Sequence, residues 1–267
     1  MVRRVLGACK LCGETAELRD SHIVPRSIIA RCKGGQGQLL TFSSDVDVPP
    51  ERSNYDPSEP LLCAACESFL DRKYERHGIR LLFPTRKDRG KRFVRMPDYV
   101  KFKDFQYEDT YLFFLSIFWR ASVSSLSNFA AVEFGKELEQ LMAACLRSGT
   151  LHLRGSAVRL DEFMKLVMVK LTDATCQLPE EWFRNTMIGV NKEAGAKGDL
   201  MLYLGVGGFL IGFHVSPSGE AGRPVPRLWS SPSPGSSVFR APCVPYQAMS
   251  QVNKLLNAAR SATPPTA

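Results

Sequence analysis

Cys9-Lys10-Leu11-Cys12 and Cys63-Ala64-Ala65-Cys66 share one spacing and are separated by fifty residues. Two residues between ligands let a single tight turn present both thiolates to one ion, and two such turns complete a tetrahedral sulfur cage. That donor set favours Zn²⁺, with iron possible on the same ligands. The other four cysteines (Cys32, Cys145, Cys176 and Cys243) stand alone. A cage of four thiolates leaves no open coordination position. Zinc on Cys9, Cys12, Cys63 and Cys66 is therefore expected to be structural, tying segment 9–12 to segment 63–66.

Between the pairs lies Ser21-His22-Ile23-Val24-Pro25, preceded by a strand-like Thr15 to Leu18. An irregular stretch follows, roughly 26–60, with Gly34-Gly35-Gln36-Gly37, Asp45-Val46-Asp47, Pro49-Pro50 and Pro57. A loop of that length is either functional or separately folded, and Cys32 on it reads as a free thiol. After Cys66 the spacing of Phe69, Leu70, Tyr74 and His77 predicts a helix that Gly78 can end. Glu67, Asp71 and Glu75 fall one turn apart on it, a carboxylate stripe suited, with a nearby imidazole, to Mg²⁺ or Mn²⁺. The plainer reading of such a stripe is a solvated face pairing with Arg72 or Arg76.

The order Cys9-x-x-Cys12, Ser-His-Ile-Val-Pro, then Leu62-Cys63-x-x-Cys66-Glu67 resembles the HNH endonucleases, the ββα-metal finger group. The likeness covers about residues 8–77. The longer form, Leu-Cys-x-x-Cys-Glu-x-x-Leu70-x-x-x-Tyr74-Glu75 followed by Leu115-Ser-Ile-x-Trp119-Arg120-Ala-Ser-Val-Ser124, is also similar to a group of uncharacterised bacterial HNH-like proteins. The resemblance implies a zinc-stapled ββα finger and metal-assisted phosphodiester hydrolysis. It implies His22 as the general base, a role that fits an imidazole titrating near neutrality, and Asn54 as the residue orienting it. A divalent cation would bind the scissile phosphate and the leaving oxygen. Ser21 stands where the family carries a metal ligand, and Glu67 where a histidine is usual. Glu67 would then act with Asp71, Glu75 or His77.

The chain is 267 residues long, 44% hydrophobic and 23% charged, which excludes a wholly disordered chain, a collagen-like repeat and a coiled-coil rod. The net charge is +8 and uneven: Arg72 to Lys103 carries twelve Lys/Arg against three acids. Such a run beside a possible site points to a polyanion, DNA before RNA. Arg72, Lys73, Arg76, Arg80, Arg86, Lys87, Arg89, Lys91, Arg92 and Arg95 are the candidate phosphate contacts. A solvated surface is the bland alternative, as is a non-catalytic zinc module that binds nucleic acid or a protein partner. The start lacks a secretory pattern, and the most apolar stretch, Tyr111–Trp119, has nine residues against the roughly 20 that span a bilayer. A cytoplasmic protein without membrane contact is expected.

The fold class expected is α+β. It places the zinc-stapled finger at 1–80, a basic linker and helical region at 81–150, a mixed, β-rich region at 151–260 and a disordered tail at 261–267. Tyr107–Leu126 is apolar nearly all round and predicts a buried helix. A second helix is read over 133–147, with Phe134, Leu138, Leu141, Met142 and Cys145 on one face and Gly149 closing it. Leu200–Leu204 and Phe209–Val215 read as strands around Gly207-Gly208, residues 216–239 as loop, and Gln247–Arg260 as a last helix. Phe209 and His214 read as sheet packing. Trp119-Arg120 invites stacking and phosphate contact with nucleic acid; its plainer reading is a core tryptophan beside a buried ion pair. The C-terminal region is the candidate surface for self-association or a protein partner.

Overall fold

The computed structural model describes residues 5–33, 39–42, 51–54, 56–153, 155–195, 198–216 and 224–262. The Gly34–Gly37, Asp45–Asp47 and Pro49-Pro50 segments lie outside them, as does the tail beyond Ala262.

The chain opens with β1 (Val5–Ala8) and β2 (Thr15–His22), then α1 (Arg26–Cys32), β3 (Leu39–Phe42), β4 (Glu51–Ser53) and β5 (Ser58–Cys63). Next come α2 (Ala64–Leu70), one π-helical turn at Asp71–Glu75, and α3 (Arg76–Leu82). Two short strands, β6 (Phe93–Arg95) and β7 (Tyr99–Lys103), precede α4 (Tyr107–Val123) and α5 (Lys136–Ser148). The remainder is β8 (Met164–Thr172), α6 (Glu180–Arg184), β9 (Thr186–Ala194), β10 (Leu200–Val206), β11 (Phe209–Val215), β12 (Val238–Pro245) and α7 (Ser250–Ala262). The class is mixed α+β, as expected.

Among the described residues the strands form two sheets: a small one ordered β1-β2-β5, and a large one ordered β4-β3-β9-β10-β11-β8-β12-β7-β6. The large sheet corrects the expected division of the chain. It recruits β3 and β4 from the stretch read as irregular and β6 and β7 from the run read as a linker, so 1–80, 81–150 and 151–260 are interleaved. Its centre is antiparallel, and Val206 opposite Phe209 closes the β10–β11 hairpin over Gly207-Gly208. Both glycines have positive φ (62° and 80°), as a two-residue turn matched to the sheet twist requires.

Helix α4 joins the two parts. On one side Tyr111 and Phe118 meet Phe213 of β11 at 4.9 and 5.3 Å between ring centroids, and the Tyr111 hydroxyl donates to the Met164 carbonyl. On another side Gly78 of α3 lets the Phe113 ring approach, since a Cβ there would lie 2.1 Å from that ring. Gly78 is therefore a helix-crossing residue. It does not end the helix, which runs on to Leu82. Trp119 is buried and donates to the Glu139 carbonyl on α5, which ends at Gly149 in the left-handed region as read. Leu141, placed on the apolar face of that helix, is 37% exposed, whereas Met142 and Cys145 are buried. The opposite face of the large sheet carries Tyr203, Leu210 and Val244 against Phe183 of α6 and Leu255 of α7. Cys32 ends α1 and is fully buried, and burial pushes its thiol up to about 11. No helix among the described residues is long and apolar enough to cross a membrane.

Candidate metal centre and the carboxylate face beside it

The first cysteine pair sits in the turn between β1 and β2. Gly13 N–H donates to the Cys9 carbonyl at 2.8 Å and Cys9 N–H to the Glu14 carbonyl at 2.9 Å, with Gly13 at φ 84°. The second pair sits where β5 becomes α2, Cys63 as the last strand residue and Cys66 in the first helical turn. Pairing of β2 with β5, Leu18 opposite Cys63, brings the two turns together. All four sulfurs lie within 4.8 Å of one another, and Cys12 Sγ is 4.0 Å from Cys63 Sγ. A tetrahedral Zn–S distance of about 2.3 Å puts sulfurs about 3.8 Å apart, so the four thiols can hold a metal ion and are compatible with structural zinc. Burial opposes ionisation of Cys9, but N–H groups of Cys12, Cys63 and Leu11 outweigh it and hold the thiol at about 7. Cys66 is pushed up by burial and by the other sulfurs, a crowding that a divalent cation would reverse by drawing off the protons.

Beside this centre the expected carboxylate stripe is broken up. Glu67 accepts a hydrogen bond from the buried Ser21 hydroxyl at 2.8 Å. Asp71 lies 3.6 Å from Arg76, and Glu75 accepts from the wholly buried Arg120 at 2.7 Å. Glu67 and Glu75 are thus taken up by Ser21 and Arg120 while Asp71 stays half exposed beside Arg76, so the three carboxylates do not converge on one point. His77, a further candidate ligand, is instead bonded through Nε2 to Thr110 on α4 at 2.9 Å, and burial lowers its proton affinity. Among the described residues, the four cysteines alone form a group of three or more candidate ligands.

His22 ends β2, half-buried, with Nε2 3.2 Å from Asp56 Oδ1, close but not aligned for a hydrogen bond. Asp56 also lies 3.8 Å from Arg26 at the start of α1. The partner of His22 is thus Asp56, whereas Asn54, read as its orienting residue, is exposed. A register shift between Arg19 and Asp20 explains the difference. It pairs His22 with Ser58 and lets Ile23 N–H reach the Pro57 carbonyl at 3.0 Å, which draws Asp56 beside the ring. An Asp-Pro step before a strand was the available sequence signal.

The two motif blocks of the longer resemblance meet in space. Arg120 and Ser124 come from the end of α4; Arg120 pairs with Glu75, and Ser124 and Ser125 bond Glu59 of β5. Trp119 and Arg120 are core residues, as the plainer reading had it.

The chain matches no family model, no curated protein and no solved structure.

The basic run divides over two clefts. Arg76, Arg80 and Arg92 line one of about 320 Å³, and Arg89 and Arg95 line another of about 310 Å³. Arg86, Lys87 and Lys91 are exposed between them, and Arg72 and Lys73 are exposed on the helix. Acids from outside the run temper its charge: Asp71 at Arg76, Asp104 at Arg92 (3.5 Å) and Glu180 at Arg95. Within the run, Asp88 lies 3.9 Å from Arg80.

Proposed function

We propose that the chain is a zinc-stapled, metal-dependent nuclease of HNH type acting on DNA, with His22 as general base and Asp56 as its orienting partner. The observation that carries this reading is that one strand end presents His22 to Asp56 while the residue before it, Ser21, meets Glu67. With Nε2 of His22 turned to the carboxylate, Nδ1 holds the lone pair that takes a proton from water. The hydroxide so formed attacks phosphorus, the P–O bond to the sugar breaks, and the leaving oxygen is protonated from solvent. Arg26, 78% exposed beside Asp56, is placed to hold a phosphate oxygen. Glu67 and Ser21 suit a cation that binds through one carboxylate, substrate phosphate and water, which is how Mg²⁺ is usually held. Such a cation, Mg²⁺ or Mn²⁺, would neutralise charge on the scissile phosphate. Under this reading β2, β5 and α2 are the ββα unit and Zn²⁺ its staple.

A second reading, a zinc module that binds nucleic acid without cutting it, draws support from the Ser21–Glu67 hydrogen bond, which occupies the nearest carboxylate with a neutral partner. Plasmid DNA, linear DNA and RNA, each incubated with Mg²⁺ or Mn²⁺, separate the two. The nuclease reading expects cutting that falls by about 10²-fold or more in His22→Ala, and substantially in Asp56→Asn and Glu67→Gln. Retarded migration without cutting, weakened steeply by salt, would replace it with the second reading. Cutting that survives His22→Ala undiminished would remove His22 from the chemistry.

A further inference from the structure

The second cleft holds a cation that neither the zinc centre nor His22 uses. Lys170 lies on β8, on the face shared by Leu166 and Met168, and is 2% exposed. Its Nζ donates to the Gly208 carbonyl at 3.0 Å, lies 3.6 Å from Glu180 and sits 5.1 Å from the Phe209 ring centre. The site is built to admit that amine: a Cβ on Gly208 would lie 2.3 Å from Nζ. Burial lowers the amine to about 8, so it still carries charge at neutral pH.

Glu180 is shared between Lys170 and Arg95, one carboxylate for two cations. Arg89 and Arg184, which line the same cleft, enter no ion pair among the described residues. The cleft therefore carries an excess of positive charge, including two open guanidinium forks of the kind that grip phosphate. Phe93, half-buried and edge to face at 6.4 Å with the buried Phe209 behind it, supplies an aromatic wall. At about 310 Å³ the space is at the small end of ligand pockets, roughly 300–1,000 Å³, which suits one ring system and one charged group.

We infer that this cleft binds a flat ring carrying a phosphate, of the nucleoside monophosphate class, with Arg89 and Arg184 on the phosphate and Phe93, backed by Phe209, against the ring. The site shares no residue with Ser21, His22, Asp56 or Glu67, and the inference does not rest on nuclease activity.

Calorimetric titration of the full zinc-loaded chain with AMP, GMP, adenosine, inorganic phosphate and benzoate tests it. AMP or GMP is expected to bind at least about tenfold more tightly than the other three, a difference of about 1.4 kcal/mol. The double variant Arg89→Gln, Arg184→Gln is expected to lose at least about tenfold, and Arg80→Gln in the neighbouring cleft to lose nothing. Both altered arginines are exposed, and an unchanged circular dichroism spectrum would show the double variant folded. Absence of nucleotide binding, or equal affinity in the double variant, overturns the site. Equal affinity for inorganic phosphate or benzoate overturns the ligand class. Loss of binding in His22→Ala would move the nucleotide to the other site and overturn the inference.

Discussion

The small sheet and the large one close by different means. Around β1, β2 and β5 the chain converges on four thiols, and Leu6 of the edge strand is 75% exposed. In the large sheet Phe209 and Phe239 are buried against Phe102, and Phe213 against α4, and no ligand is needed. One region is closed by side chains that a metal can grip, the other by apolar area removed from water. The largest expected effect sharpens that contrast. Chelation, or Cys63→Ser, should abolish a stoichiometry of about one zinc per chain and remove a contribution on the order of 10 kcal/mol from the small unit. Amides of 5–33 and 58–70 should then exchange freely while β8 to β11 stay protected. Equal loss of protection in both would show one cooperative body and break the comparison.

The joint between the regions comes next. Glu75 meets Arg120 inside the protein, and Arg120 Nε already lacks a partner. Glu75→Ala leaves a buried guanidinium unpaired and should cost about 3–5 kcal/mol in chemical denaturation. Replacing both, Glu75→Leu with Arg120→Met, should recover most of that, because the cost lies in the orphaned charge. A double variant as weak as the single one would assign the joint a role beyond charge pairing.

Lys170 gives the large sheet a pH dependence of its own. Its folded value, about 8, is below the ordinary 10.5, so the unfolded chain holds the extra proton between those values. Below pH 8 both states are protonated and the penalty for burying the charge is fully present. From pH 8 to 10.5 stability should rise with pH, by on the order of 3 kcal/mol, and level off beyond. Lys170→Met should flatten that rise, read as the difference between the two stability curves. Parallel curves would mean that Lys170 is protonated equally in both states.

What could be read in the residues follows the same division. Each Cys-x-x-Cys turn, the buried helix read over Tyr107–Leu126 and found over Tyr107–Val123, and the Gly207-Gly208 hairpin are local patterns, each complete within about twenty residues, and the structure has all three. The β3–β9 and β12–β8 pairings are not legible, because they join residues over a hundred and over seventy positions apart as parallel neighbours with no turn between them. At the candidate site His22 stands out by its motif. Asp56 does not, because a one-residue bulge at Leu61 of β5, opposite Arg19 and Asp20, decides which side chain reaches the ring. The acidic row at Glu67, Asp71 and Glu75 follows from spacing, which does not say which partner each carboxylate finds: Asp71 lies by Arg76, as the plainer reading has it, while Glu67 and Glu75 meet Ser21 and Arg120 from distant elements.

Gly78 shows how one residue can carry two opposite readings, and it supports the smallest effect. A glycine near the end of an amphipathic segment ordinarily marks the stop, through a left-handed cap. Here it lies inside α3, buried, with the Phe113 ring of α4 where a side chain would project. The relevant property is missing volume, with no demand on backbone freedom. Gly78→Ala should improve helix propensity by up to about 1 kcal/mol and still destabilise the protein by a net of about 2 kcal/mol, because Phe113 is fully buried and has no space to retreat. Pairing it with Phe113→Leu should return part of the loss, since the smaller side chain vacates the overlap. A stabilising Gly78→Ala would mean that α3 and α4 can separate at that crossing, and the four-cysteine unit would then be held to the helices chiefly through the polar contacts of Glu59, Tyr74, Glu75 and His77.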